Sequence, residues 1–153
     1  MNTVAQLVKL VRDGDMDGAR QAAAGIECPG KSLGSPDDVY SIMRETTLAE
    51  QEEVWLLYAT HRNTLKRKEL VFVGGASASI VDVAVVLRKV LLSGALAFVM
   101  VHNHPSGTAD PSPEDTAITR HIELGATAIG VTLLDHVIIA VSGWYSFKDH
   151  NLI

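Results

Sequence analysis

Ala95-Leu96-Ala97-Phe98-Val99-Met100-Val101-His102-Asn103-His104-Pro105-Ser106-Gly107, continued by Thr108-Ala109-Asp110-Pro111-Ser112-Pro113-Glu114-Asp115, decides the reading of this chain. Ala95 to Val101 is an apolar run whose Phe98, Val99 and Val101 favour a buried strand. Strand side chains alternate with a period of two, so His102 and His104 leave on the same side, where two imidazoles can grip one metal ion. Pro105 and Gly107 turn the chain out of the sheet, with Asn103 shaping the same loop. Ser112-Pro113-Glu114-Asp115 then reads as a helix start, with Ser112 as N-cap and Pro113 at the first helical position. A loop that folds back brings Asp115 to the two histidines. Two nitrogens and one oxygen suit zinc and leave a fourth position for water, the pattern of a catalytic site.

Each residue also has a plainer role. A histidine at a strand end is commonly just a polar surface residue, and Ser112 with Asp115 alone is a capping pair. The metal reading rests on all four positions occurring together in one strand–loop–helix unit. Capping and ligation are compatible, because a helix start is a rigid mount.

The pattern His102-x-His104-x7-Ser112-x2-Asp115 resembles the motif of JAMM (MPN-type) metalloproteases. His102-Asn103-His104-Pro105-Ser106-Gly107, with Leu134-Asp135-His136 downstream, is similar to the bacterial RadC branch, and the likeness runs from about Ser35 to Phe147. It implies a cytidine-deaminase-like α/β sandwich and a zinc-dependent hydrolase of a peptide or isopeptide bond. It also implies an upstream glutamate that serves as base. Reading back without gaps from Phe72-Val73-Gly74, that place falls on Glu52, with Glu53 as the neighbouring alternative. Ser112 would then donate to the oxyanion. The competing reading is a DNA-repair-associated protein, either a metal-dependent nuclease or a nucleic-acid-linked scaffold.

Composition narrows the partners. The 153 residues are 47% hydrophobic and 20% charged, which is globular rather than disordered. The net charge is −5 and the longest basic run is Lys66-Arg67-Lys68, so the overall field does not favour nucleic acid. A peptide or protein substrate is expected, and self-pairing into a homodimer is left open. The single Cys28, the lack of a signal-peptide core in residues 1–20 and the lack of an apolar run near 20 residues point to a cytoplasmic protein without a membrane partner. Nitrogen and oxygen donors do not select zinc uniquely among divalent ions.

In chain order, Val4, Leu7, Val8 and Val11 at helical spacing, then the Ala-rich Met16 to Ala24, predict a helical hairpin. Residues 1–34 are read as this short appendage plus a linker, and 35–153 as the JAMM-like domain. RadC-like proteins often carry a helix-hairpin-helix DNA-binding segment at this end, but its glycine-containing hairpin is absent here. Gly25-Ile26-Glu27-Cys28-Pro29-Gly30-Lys31-Ser32 fits the phosphate-loop pattern letter for letter. That motif needs a buried strand before it and a helix right after it, whereas Gly34 and Pro36 interrupt this chain. It reads as a linker, with nucleotide binding a minor alternative.

Ser35-Pro36-Asp37-Asp38 opens a helix, Val54 to Thr60 and Lys66 to Gly75 form a hairpin, and Val81 to Leu92 is a covering helix. The helix from Ser112 is expected to reach about Leu124. Val131 to Leu134 and His136 to Val141 are two β-prone runs, and Trp144 to Phe147 adds an edge. Helices alternating with strands predict a mixed sheet flanked by helices. His136 is assigned a structural hydrogen bond rather than ligation, and His61, His121 and His150 are read as solvated.

Overall fold

The computed structural model describes residues 30–74 and 81–153, with a few positions between 9 and 18. The expected N-terminal hairpin falls almost wholly outside the described residues. The mixed sheet flanked by helices is the architecture observed.

Helix α1, Pro36–Met43, starts where Ser35 accepts a hydrogen bond from the Asp38 N–H, with Pro36 pre-set in helical φ. A 3-10 turn, Arg44–Leu48, leads to the hairpin of β1 (Glu53–Ala59) and β2 (Leu65–Val73). Helix α2, Val83–Ser93, is capped by the Asp82 carboxylate and ends at Gly94, whose φ of +67° is the left-handed stop that suits glycine. Then come β3 (Ala97–Asn103), α3 (Pro113–Ala128), β4 (Thr132–Ala140) and β5 (Gly143–Ser146). The strand order is β2-β1-β3-β4-β5, and only the β3–β4 pair is parallel.

Two apolar layers flank the sheet. Trp55, Leu57, Val99, Val101, Val137 and Ile139 pack with Val39 and Met43 of α1. Leu56, Tyr58, Phe98 and Met100 pack with Val86 and Val90 of α2 and Ile122 of α3. Both faces being covered, β1 is buried along its whole length, which is why it reads as a continuous apolar run rather than an alternating one. Helices α2 and α3 approach closely at Gly125, where a Cβ would stand 2.5 Å from Leu87 Cδ1.

Two details differ from the sequence reading, and a third agrees with it. Helix α3 runs on to Ala128 rather than stopping near Leu124, because Ile122 and Ala126 continue its buried stripe. The two β-prone runs around Asp135 are a single strand, β4, carrying a bulge: Phe98 pairs with Leu133, but Val99 pairs with Asp135. The extra residue, Leu134, reverses the alternation, so Val137 and Ile139 face α1 while His136 and Ile138 turn toward α3. The buried Asp135 that seemed a break is satisfied by the Ser146 hydroxyl at 2.6 Å and the Lys148 N–H at 3.1 Å. Finally, Lys31 and Ser32 lie extended against the hairpin turn, with Ser32 bridged to Thr64 and Leu33 buried in the α1-side core. Among the described residues no helix follows them directly, the next one starting at Pro36, whereas the phosphate-loop pattern needs one there; Gly25 to Pro29 lie outside the described residues.

Candidate metal centre

The α3-facing side of β3 carries Phe98, Met100 and then His102. The strand includes His102 and Asn103, two residues beyond the apolar run, and the His104 N–H still bonds the Ile139 carbonyl at 2.9 Å. The imidazoles of His102 and His104 therefore emerge together, Nε2 to Nε2 at 3.0 Å. The turn that follows closes through the Gly107 N–H on the His104 carbonyl, with Gly107 at a φ of +94° that side chains resist. Asn103 does not shape that loop. It is buried, and its amide reaches β1 instead.

Asp115 is the third residue of α3 and belongs to a reciprocal cap. Ser112 Oγ accepts from the Asp115 N–H at 3.0 Å, and Asp115 Oδ2 accepts from the Ser112 N–H at 2.8 Å. The same carboxylate lies against both histidines, with Oδ1 3.3 Å from His102 Nε2 and Oδ2 3.5 Å from His104 Nε2. Glu52 comes from the residue before β1, its Oε1 3.7 Å from His102 Nε2. The four donor atoms lie within 4.8 Å of one another.

The main chain around Glu52 is tied down on both sides. Asn103 Oδ1 accepts from the Glu53 N–H at 2.7 Å, Asn103 Nδ2 donates to the Gln51 carbonyl at 3.1 Å, and the Gly74 N–H bonds the Glu52 carbonyl at 2.9 Å. Losing the amide would strand a buried N–H and a C=O, at about 1–3 kcal/mol per group. The neighbouring Glu53 is buried differently, its Oε2 accepting from Trp55 Nε1 at 3.0 Å. Only Glu52 faces the imidazoles.

The donor set fits a divalent ion. The Thr108 carbonyl 3.0 Å from His104 Nδ1 can only accept, so Nδ1 carries a proton and a neutral His104 turns a lone pair on Nε2 into the cluster. Two nitrogens and two carboxylates converge on one point. Donors at zinc's usual 2.0–2.1 Å stand about 3.3 Å apart in a tetrahedron. The Nε2 atoms of His102 and His104 are 3.0 Å apart, and the Asp115 carboxylate meets them with a different oxygen each, Oδ1 at 3.3 Å from His102 and Oδ2 at 3.5 Å from His104, separations of that same order.

Burial would raise the Asp115 carboxyl, but the neighbouring His102 and His104 outweigh it and hold the group well below its ordinary 3.8. The Asp115 carboxylate in turn raises His104 above 6.5, against burial. Burial lifts Glu52 above 4.5 despite the two histidines. Full burial drives His136 well below 6.5, which keeps it neutral.

These shifts set a pH dependence for protein stripped of metal. The raised His104 contributes stability that is fully present below pH 6.5 and lost as pH climbs through its folded value. The lowered Asp115 contributes stability that is present above 3.8 and lost as pH falls through its folded value. Chelator-treated protein should therefore lose melting temperature above pH 6.5, and His104→Gln should flatten that decline. Zinc needs unprotonated ligands, so its stabilising shift should grow over the same interval. Identical melting profiles for both proteins would contradict the assignment.

The remaining histidines lie elsewhere. His61 and His121 are exposed. His150 is exposed too, yet it stacks on Tyr145 at 4.1 Å and bonds the Ser146 carbonyl. His136 is fully buried and touches the centre indirectly, 2.7 Å from His102 Nδ1. The residue pattern did not single out Thr119, which contacts His136. Its place one turn after Asp115 was the available signal. Among the described residues no helix is long and apolar enough to cross a membrane.

Comparison with known proteins gives a consistent outcome. The profile of the RadC-like JAB domain matches residues 33–152. A UPF0758 protein of Methanosarcina mazei is 34% identical over 136 residues, covering 88% of this chain and 59% of that protein. One from Flavobacterium johnsoniae is 36% identical over 137 residues, with the same coverage of 88% and 59%. One from Listeria welshimeri is 37% identical over 115 residues, 74% of this chain and 51% of its own length. The chain thus spans between half and three fifths of the curated relatives it matches.

Proposed function

The chain belongs to the RadC-like JAB domain family, and from that premise we propose that it is a zinc-dependent metallohydrolase cleaving an amide bond, as a peptidase or isopeptidase. The observation that carries this reading is the triangle of His102, His104 and Asp115 donors beneath a glutamate that is held in place but lies farther off. His102, His104 and Asp115 would hold the ion. When bound, zinc supplies a polarised carbonyl and a water acidified toward neutrality.

The protein's own groups do the rest. Glu52 sits beyond the triangle, and burial makes it a stronger base than an exposed glutamate. It takes the proton of the attacking water and passes it to the leaving amine. Ser112 Oγ already accepts the Asp115 N–H, which leaves its own proton for the oxyanion that develops on the carbonyl. One such donor is worth about 10²–10³ in rate. The capping box thus serves both the helix and the site.

The test offers both substrate classes to zinc-loaded protein: a mixed peptide pool read by mass spectrometry, and single-stranded and duplex DNA read on a gel. New peptide termini that vanish with chelator are the expected result. Cutting of DNA instead, or zinc binding with neither substrate cut, would overturn the amide-hydrolase reading. A net charge of −5 places the DNA outcome second.

A further inference from the structure

We infer that Thr119 and His136 are positioning residues that hold His102 in the tautomer whose Nε2 carries the lone pair, so that the nitrogen facing the centre is ready for a metal before one arrives. This rests on the metal reading above and names two residues beyond its ligand set.

The direction of the chain follows from its far end. Thr119, buried on α3 one turn after Asp115, has its Oγ1 2.6 Å from the Asp115 main-chain carbonyl. Two oxygens that close need a proton between them, and a carbonyl has none to give, so the hydroxyl donates. A hydroxyl has one proton. Toward His136 Nδ1, its other contact, Thr119 can therefore only accept, and Nδ1 must carry hydrogen. A neutral imidazole then has its lone pair on Nε2, which lies 2.7 Å from His102 Nδ1. His102 Nδ1 must be the donor there. That leaves Nε2 of His102 without a proton, 3.0 Å from His104 Nε2 and 3.3 Å from Asp115 Oδ1.

The surroundings keep this order in place. His136 is fully buried and lies flat on Phe147, ring centroids 4.7 Å apart and 6° from parallel. It points at α3 only because of the Leu134 bulge. The relay starts at the Asp115 main chain and ends at His102 Nε2, 3.3 Å from Oδ1 of the same Asp115, so two electron-pair donors face one another across the space a cation would fill. Residues from β3, β4 and α3 thereby lock two metal-facing side chains to one another. Outer partners of this kind commonly set both the tautomer and the affinity of a liganding histidine.

The test measures zinc affinity by competition with a chromophoric chelator for wild type, Thr119→Val and Thr119→Ser, alongside nitrogen-15 histidine spectra of wild type and Thr119→Val. Valine keeps the shape and removes the hydroxyl, and serine restores it. The expected result is zinc binding about 10–100-fold weaker in Thr119→Val and recovered in Thr119→Ser. Wild-type spectra should place hydrogen on Nδ1 of both His136 and His102, with that preference lost in the valine variant. Should valine disturb the fold, the wild-type spectra decide on their own. A wild type that binds zinc, with unchanged affinity in Thr119→Val or with hydrogen on Nε2 of His136, overturns the positioning role alone. A wild type that binds no zinc overturns the metal reading instead.

Discussion

Replacing His104 by alanine should empty the protein of zinc while leaving it folded. Protein prepared without chelators is expected to hold about one zinc per chain, as a three-ligand site would, and His104→Ala almost none by elemental mass spectrometry. Loss of an outer partner alone commonly weakens a site 10–100-fold. Loss of one of three direct ligands should exceed the upper end of that range. His104 is the right residue to remove because it stands past the end of β3, its side chain 17% exposed, and its Nδ1 partner is a carbonyl that water can satisfy. His102→Ala would be harder to read. That ring is buried, and its removal would strand His136 Nε2 inside the protein, costing about 1–3 kcal/mol in addition to any effect on metal. Equal zinc in wild type and His104→Ala would remove the foundation of the hydrolase reading.

Glu52→Gln should separate chemistry from binding. The amide has the shape of the carboxylate but cannot take a proton, and general-base catalysis is worth about 10²–10⁴ in rate. The turnover number on a cleaved peptide should fall by that factor. Zinc content should hold, because His102, His104 and Asp115 all remain to hold the ion. The fold should hold as well, because the clamp on this segment is made by the Asn103 side chain and the main chain of Gln51, Glu52, Glu53 and Gly74, not by the Glu52 carboxylate. Glu53→Gln is the contrasting variant. Its buried carboxylate accepts from Trp55 Nε1, so the change should lower melting temperature and spare turnover. Full activity in Glu52→Gln would leave a purely structural ion as the better reading, since such an ion needs no base.

The local part of this centre was legible in the amino-acid order alone. From His102 to Asp115 the relevant rules act over short distances: a two-residue alternation for the imidazoles, a proline and a glycine for the turn, and a serine cap that orients the third residue of the next helix. Such rules depend on backbone geometry that a short segment carries by itself. The alternation of helices with apolar runs was equally plain, and with it the mixed sheet between two helical layers.

What tertiary structure alone decided depends on register between distant segments. Glu52 reaches the imidazoles because β1 pairs antiparallel with β3, placing Val54 opposite His102, and because Asn103 crosses to fasten the chain around it. From sequence, the ungapped reading fell on Glu52 and left Glu53 as the neighbouring alternative. They differ only in which side of β1 each carboxylate takes. The place of His136 depended on one extra residue. Unbroken alternation from Leu133 would have put it on the α1 side, and the bulge at Leu134 moved it against Thr119 and His102. A bulge reverses every side chain beyond it, and the partner strand selects where it falls, so no local pattern in β4 could have announced it.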